Sequence, residues 1–195
     1  MMTSATIFQK LMVSFLLQAD SAAEFRKRGF DEDGLIDGSR AASRMSWSAF
    51  SYQSRVRNAE EIAGALVVHL GDFLTCTAWV CRRALGDHTG ENVVRPDWSR
   101  YVAWRTAHGA TRTLGEAPGH LFGRGESADL REFIAVALYL GWDTLLKTDK
   151  TRTIVKLSHD DRIELYHFSA PAELKSELGR LCEPAPWFDP RPRRR

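Results

Sequence analysis

Apolar positions between residues 127 and 168 change from helical spacing to strand spacing. The first part recurs every three or four residues and ends at Gly141, which is a helix stop signal. Three short segments rich in β-branched and aromatic residues follow, separated by polar turns at 148–150 and 159–160. The pattern predicts a helix over 127–141 and a three-stranded antiparallel meander over 143–168.

The longest apolar segment runs from residue 54 to residue 85 and is wider than one helix face. This width predicts a central helix that is covered on more than one side, bent at Gly71 and ended by Gly86. Other segments predict a helix over 5–28, two short helices over 97–108 and 172–181, and a short strand over 46–52. The glycine-rich segment 109–126 has no periodicity and predicts a loop.

These elements predict an α+β fold. A mostly helical N-terminal two-thirds packs around the 54–85 helix, and helices cover a small C-terminal antiparallel sheet of three strands. We expect a single domain over residues 1–182. The proline- and arginine-rich tail over 183–195 is predicted to be disordered.

Composition narrows the class of protein without indicating a reaction. The chain has 195 residues, of which 44% are hydrophobic and 27% charged, and this is typical of a globular domain. A net charge of +2 gives no overall attraction to nucleic acid or to a membrane. Three cysteines without metal-ligand spacing indicate reduced thiols in a cytoplasmic protein. Residues 1–23 also admit interpretation as a weak signal peptide. No metal, cofactor or membrane span is predicted.

Two polar segments offer candidate chemistry. The turn 158–161 carries His159, Asp160 and Asp161, and an imidazole near carboxylates can act as a general base or bind a metal. Aspartate is also what hairpin turn chemistry favours, so an ordinary turn is the competing interpretation. His120 and Arg124 lie in a glycine-rich segment before a helix N-terminus, where an anion could bind, although Glu126 would oppose it. His120, His159, Asp160 and Asp161 are therefore candidate catalytic residues, and Arg124 is a candidate anion ligand.

A third candidate is the short helix at 97–108, which alternates aromatic residues with arginines. Its prominent side chains are Trp98, Arg100, Tyr101, Trp104 and Arg105. Trp, Tyr and Arg dominate protein interfaces, and the same residue types can stack on bases and contact phosphates. The aromatic residues could equally anchor the helix to the core.

Two functions follow from these candidates. The first is a protein-binding module of immunity, antitoxin or adaptor type that masks or bridges a partner through the aromatic–arginine surface. The second is a small hydrolase or nucleic-acid-processing enzyme, whose His120, Arg124 and 158–161 turn would have to meet in one pocket. The absence of an assembled catalytic motif favours a binding protein, whose partner is expected to be another protein rather than nucleic acid.

Overall fold

A computed structural model describes residues 13–37, 44–52, 58–71, 73–81, 96–169 and 171–185. The helices are α1 (Gln18–Arg26), α2 (Ala59–Leu70), α3 (Pro96–Ala107), α4 (Ser127–Leu140) and α5 (Ala172–Leu181). The strands are β1 (Ser14–Leu16), β2 (Ser46–Ser51), β3 (Thr75–Val80), β4 (Gly119–Gly123), β5 (Thr144–Thr148), β6 (Ile154–Ser158), β7 (Arg162–His167) and β8 (Glu183–Pro184). The start of the predicted first helix, Gly86 and tail residues 186–195 lie outside the described residues.

The strands form one antiparallel sheet in the order β1-β4-β3-β5-β6-β7-β2-β8. This corrects the predicted fold class, because the architecture is not mostly helical with a small three-stranded sheet. The predicted strands of the meander are present as β5, β6 and β7, but they form the centre of a larger sheet. The helices at 127–140 and 172–181 and the strand at 46–51 agree with the predicted ones.

The predicted 54–85 helix is wrong at residues 73–81, whereas residues 54–57, 72 and 82–85 lie outside the described residues. Gly71 takes a positive φ of 74° and its N–H caps the carbonyl of Val67, so α2 ends there. The chain then enters β3, where Cys76 and Ala78 face one side of the sheet and Trp79 faces the other. Because both faces of β3 are buried, its sequence has no polar alternation that would distinguish it from a buried helix.

The predicted loop at 109–126 contains β4, which joins β1 to β3. Gly119 explains why this strand has the appearance of a loop in the sequence. A Cβ added at Gly119 would lie 1.9 Å from the Ser21 hydroxyl and 2.8 Å from Cβ of Leu16. The close approach of α1 and β1 therefore requires glycine at a position inside a strand. Likewise, the predicted 5–28 helix is interrupted, since Ser14–Leu16 form β1 before α1 begins at Gln18.

The sheet separates two hydrophobic cores. One face packs against α2, α3, α4 and α5 and forms the larger core. The opposite face packs against α1 and the segment around Phe30, with Trp79, Leu145 and Tyr166 at its centre. No helix within the described part of the chain is long and apolar enough to cross a membrane.

Candidate functional site

A buried cluster of three polar side chains lies where α3 meets β4. His120 is on the helix-covered face of the sheet and is fully buried. The Tyr101 hydroxyl lies 2.7 Å from Nε2 of His120, and Nη1 of Arg105 lies 3.0 Å from the same hydroxyl. We call Tyr101, Arg105 and His120 the His120 cluster.

The hydrogen bonds of the His120 cluster define its protonation state. A guanidinium has no acceptor, so Arg105 donates to the Tyr101 oxygen, and the phenol donates its own hydrogen to Nε2 of His120. This places the proton of a neutral imidazole on Nδ1, which makes no hydrogen bond of normal geometry to a described residue. Burial, and secondarily the Arg105 charge, hold the pKa of His120 well below 6.5, although carbonyls of Pro118 and Ala78 act in the opposite direction. The ring is therefore neutral at pH 7.

Arg105 fastens the loop after α3 to the helix. Its Nη1 donates to the carbonyl of Ala117 at 3.2 Å, and its Nη2 to the carbonyls of Arg112 and Thr113 at 3.0 and 3.4 Å. The guanidinium also lies 4.3 Å from the ring centroid of Phe15. All these partners are neutral, and among the described residues Arg105 has no carboxylate within ion-pair distance. A charge that is only 5% exposed is thus surrounded by neutral groups, which are carbonyl and hydroxyl dipoles, Nε2 of His120 and the Phe15 ring.

A cavity of about 460 Å³ lies between α3 and the loop 110–115, and we call it the α3 groove. Its apolar lining comes mainly from Trp98, Val102 and Leu114, and Tyr101 and Arg105 connect it to the His120 cluster. Arg112 and three threonines line it as well, and none of the described lining residues is acidic. The groove therefore combines apolar surface with hydroxyl groups and two positive charges.

One acidic side chain lies just beyond the lining. The Glu116 carboxylate accepts hydrogen bonds from the Thr113 N–H at 2.8 Å and the Thr113 hydroxyl at 2.9 Å. These two bonds, with a smaller contribution from the Arg112 charge, lower the pKa of Glu116. Glu116 thus fixes the loop turn and partly offsets the charge of Arg112 at the edge of the groove.

The second histidine cluster is the predicted turn between β6 and β7. Nδ1 of His159 lies 2.7 Å from a carboxylate oxygen of Asp143, and the His159 backbone N–H donates to the other oxygen at 3.2 Å. Nε2 of His159 lies 3.2 Å from Asp160, which also pairs with Arg162 at 2.8 Å. Asp161 has a φ of 57°, a conformation that aspartate tolerates in turns. We call Asp143, His159, Asp160 and Arg162 the His159 cluster.

The proposed catalytic residues do not lie in one pocket. His120 on β4 and the 158–161 turn after β6 are three strands apart, or about 14 Å at the usual strand spacing. Arg124 follows β4 at the end that pairs with Thr75, whereas His120 lies near the other end. His120 is fully buried and its Nε2 is occupied by the Tyr101 hydroxyl. The geometry does not bring these residues together around a common reacting atom.

The aromatic–arginine helix is divided between core and surface. Tyr101 and Trp104 are 1% and 7% exposed, so both anchor α3 to the core. Trp98 is half-buried and lines the α3 groove. Arg100 is exposed and pairs with Glu132 at 3.0 Å and with Glu60 at 3.5 Å. Trp98 and Arg105 are thus the members of the predicted surface that face the groove together with Tyr101.

Sequence reasoning named all three residues of the His120 cluster but missed Asp143 and Arg162, which complete the His159 cluster. Asp143 is the charged position within the apolar run from Tyr139 to Leu146, and such an isolated carboxylate is a signal of a buried partner. A buried Lys156–Glu164 pair, 4.0 Å apart on the opposite face of the sheet, was also missed. Lys156 and Glu164 lie opposite each other on β6 and β7, so their pairing can be recognised only when the register of these two strands is known. The Tyr166 hydroxyl donates to Oε2 of Glu164, and Nε of Arg162 lies 3.6 Å from Oε1.

The described residues contain no group of three or more His, Cys, Asp or Glu side chains arranged to hold a metal ion. Comparison of the chain with protein-family models, curated proteins and solved structures finds no match.

Proposed function

We propose that this chain is a protein-binding module of the immunity, antitoxin or adaptor type, and that the α3 groove receives a segment of its partner. The observation that carries the proposal is the groove itself, where part of the aromatic–arginine helix remains accessible beside a cavity of about 460 Å³. Binding in this groove would mask the partner or bridge it to another protein, and neither effect requires a chemical reaction.

Exposed apolar side chains supply the anchoring surface. Val102 on α3 is 44% exposed, and it lines the groove beside Trp98. Tryptophan is enriched among the residues that contribute most to binding at protein interfaces, and Val102 adds apolar area next to it. The surface is small, so the binding energy must come from a few contacts.

The walls of the groove are held in place before binding. Arg105 joins the helix to the loop through three carbonyl groups, and the Ala110 N–H donates to the Arg105 carbonyl at 3.0 Å. Glu116 closes the turn at Thr113. A preformed site loses less conformational entropy on binding than a mobile loop would lose.

Site-specific photocrosslinking in a lysate of the native host tests the proposal. A benzophenone amino acid replaces Val102 in one variant and Val68 in a matched control, since Val68 is an 82% exposed valine on α2 and does not line the groove. We expect a discrete protein adduct from position 102 that is absent from position 68. The adduct should disappear when Trp98→Ala is introduced into the position-102 variant.

Two results would count against the proposal. Equal crosslinking from positions 68 and 102 would indicate non-specific contact. A groove variant such as Val102→Asp that retained full binding of the captured partner would place the interface elsewhere.

A further inference from the structure

We infer that the segment bound in the α3 groove is acidic, with a carboxylate placed between Arg105 and Arg112. This inference rests on the proposed function, because it specifies the chemistry of the partner at the same site. The juxtaposition that carries it is a buried arginine that has no carboxylate partner among the described residues, at the edge of a cavity whose described lining contains no acidic residue.

The first argument is the charge of Arg105. Burying an unpaired charge is costly, and buried arginines are usually paired with a carboxylate or phosphate. Arg105 is instead held by a phenol, three carbonyls and the face of Phe15. Its Nη groups make these bonds, whereas Nε makes no hydrogen bond to a described residue. An acidic group in the groove would provide the missing negative charge.

The second argument is the contrast with the neighbouring arginines. Arg100 on the same helix pairs with Glu132 and Glu60, and Arg131 on α4 lies 3.9 Å from Glu60. On that side of α3 the acidic partners come from the chain itself. On the groove side, Arg105 and Arg112 line the same cavity as threonines and apolar groups, and the Glu116 carboxylate beside it accepts hydrogen bonds from Thr113.

The third argument is the composition of the groove as a whole. The Thr111 hydroxyl lines it and can donate to a carboxylate oxygen, whereas the Thr106 and Thr113 hydroxyls donate to the Val102 carbonyl and to Glu116. Trp98, Val102 and Leu114 provide apolar surface for the residues that flank the acid. These features select an aspartate or glutamate within an apolar peptide segment, since a uniformly acidic segment would leave the apolar surface unused.

Phage display of random 12-residue peptides provides a test that can be carried out before the partner is identified. The wild-type protein is the target, and Val102→Asp protein is used for counter-selection. We expect the enriched peptides to contain Asp or Glu next to aromatic or aliphatic residues. One enriched peptide is then synthesised and its Kd is measured by fluorescence polarisation.

Matched charge variants examine the electrostatic part of the inference. Arg112→Ala should weaken peptide binding by about 5-fold, because an exposed ion pair contributes up to about 1 kcal/mol. Glu116→Gln should strengthen binding by about 2-fold, since it removes the offsetting charge. Arg100→Ala makes the same change in net charge as Arg112→Ala at a position outside the groove, and should leave the Kd within about 1.5-fold.

The outcomes separate the inference from the proposed function. Enrichment of neutral or basic peptides, with equal Kd for wild type and Arg112→Ala, would overturn the acidic segment and keep the groove as a protein-binding site. Failure to enrich any peptide over the counter-selected protein would overturn both. Binding of a dT12 oligonucleotide that Arg112→Ala abolishes, without peptide enrichment, would replace the protein partner with single-stranded nucleic acid.

Discussion

The His120 cluster and the His159 cluster contain similar residue types in opposite electrostatic settings. At His159, the imidazole lies between Asp143 and Asp160, and Asp160 pairs in turn with Arg162. At His120, the neighbours are a phenol and an arginine, and no carboxylate lies within ion-pair distance among the residues described. In the His159 cluster both carboxylates and the arginine have partners within the cluster, whereas Arg105 has no carboxylate partner among the described residues.

This difference bears on which cluster can receive a ligand. The His159 cluster gains little from an added ion, because its carboxylates and its arginine already have partners. The His120 cluster also adjoins a cavity, through Tyr101 and Arg105, and its net charge favours an anion there. The positive charge of Arg105 and the adjoining cavity therefore favour the groove as the ligand site. From the sequence, the turn at His159 is the more conspicuous candidate.

The largest loss of stability is expected from Arg105→Leu, which removes the positive charge of the His120 cluster. The carbonyl of Ala117 and the Tyr101 oxygen lose their donor, and we expect the free energy of unfolding to fall by about 3 kcal/mol. Urea denaturation measures the change. Arg112→Leu is the matched control and should stay within about 0.5 kcal/mol, because the Arg112 side chain is exposed. Equal effects of the two variants would show that Arg105 does not hold the loop.

The next largest loss of stability is expected from the His159 cluster. Asp143→Ala should lower the free energy of unfolding by about 2 kcal/mol, because the His159 backbone N–H and ring lose an acceptor that is only 3% exposed. Asp160→Ala removes the outer carboxylate, which is half exposed, and should cost less than about 1 kcal/mol. A larger effect at Asp160 than at Asp143 would show that the outer carboxylate, and not Asp143, holds His159 in place.

A smaller effect is expected from Tyr101→Phe, which keeps the aromatic packing of the His120 cluster and removes its hydroxyl. Nε2 of His120 and Nη1 of Arg105 each lose one partner, and the expected loss is about 1–1.5 kcal/mol. Tyr139→Phe on α4 is the control, since no described residue hydrogen-bonds its hydroxyl, and it should change stability by less than about 0.5 kcal/mol. A neutral Tyr101→Phe would mean that water replaces the hydroxyl.

The sequence identified the C-terminal half of the fold better than the N-terminal half, because its elements are separated by recognisable turns. Strands β6 and β7 are as buried as β3, but polar turns at 148–150 and 159–160 mark their limits. The helix at Ser127–Leu140 has a polar face and a left-handed Gly141 after it, so its period and its end are both visible. In contrast, β3 is buried on both faces and β4 begins and ends with glycine, so neither has the alternation that marks a strand. Their identity depends on pairing with β5 and β1, which is non-local information.

For the candidate site, the sequence could nominate residue types but could not assign their surroundings. Trp98, Tyr101 and Arg105 follow helical spacing, yet only the docking of α3 decides that Tyr101 is buried and Trp98 is half-exposed. The same holds for His120, whose burial follows from the pairing of β4 between β1 and β3. Local composition thus predicts a candidate surface, and tertiary contacts divide it into core anchors and groove.

The smallest effect is a pH dependence that distinguishes a buried neutral histidine from a solvated one. Because burial lowers the pKa of His120 below its unfolded value near 6.5, the unfolded chain binds more protons as the pH falls below that value. Stability is therefore fully present above about pH 6.5, and one histidine can remove at most about 0.7 kcal/mol between pH 6.5 and 6.0. Burial also lowers the pKa of His69 and His167, so the wild-type slope contains their contributions as well. His120→Asn should reduce, without abolishing, the slope of the unfolding free energy against pH, which urea denaturation measures across this range. An unchanged slope would mean that His120 is already protonated in the folded protein. The Tyr101 hydroxyl could then not donate to its Nε2.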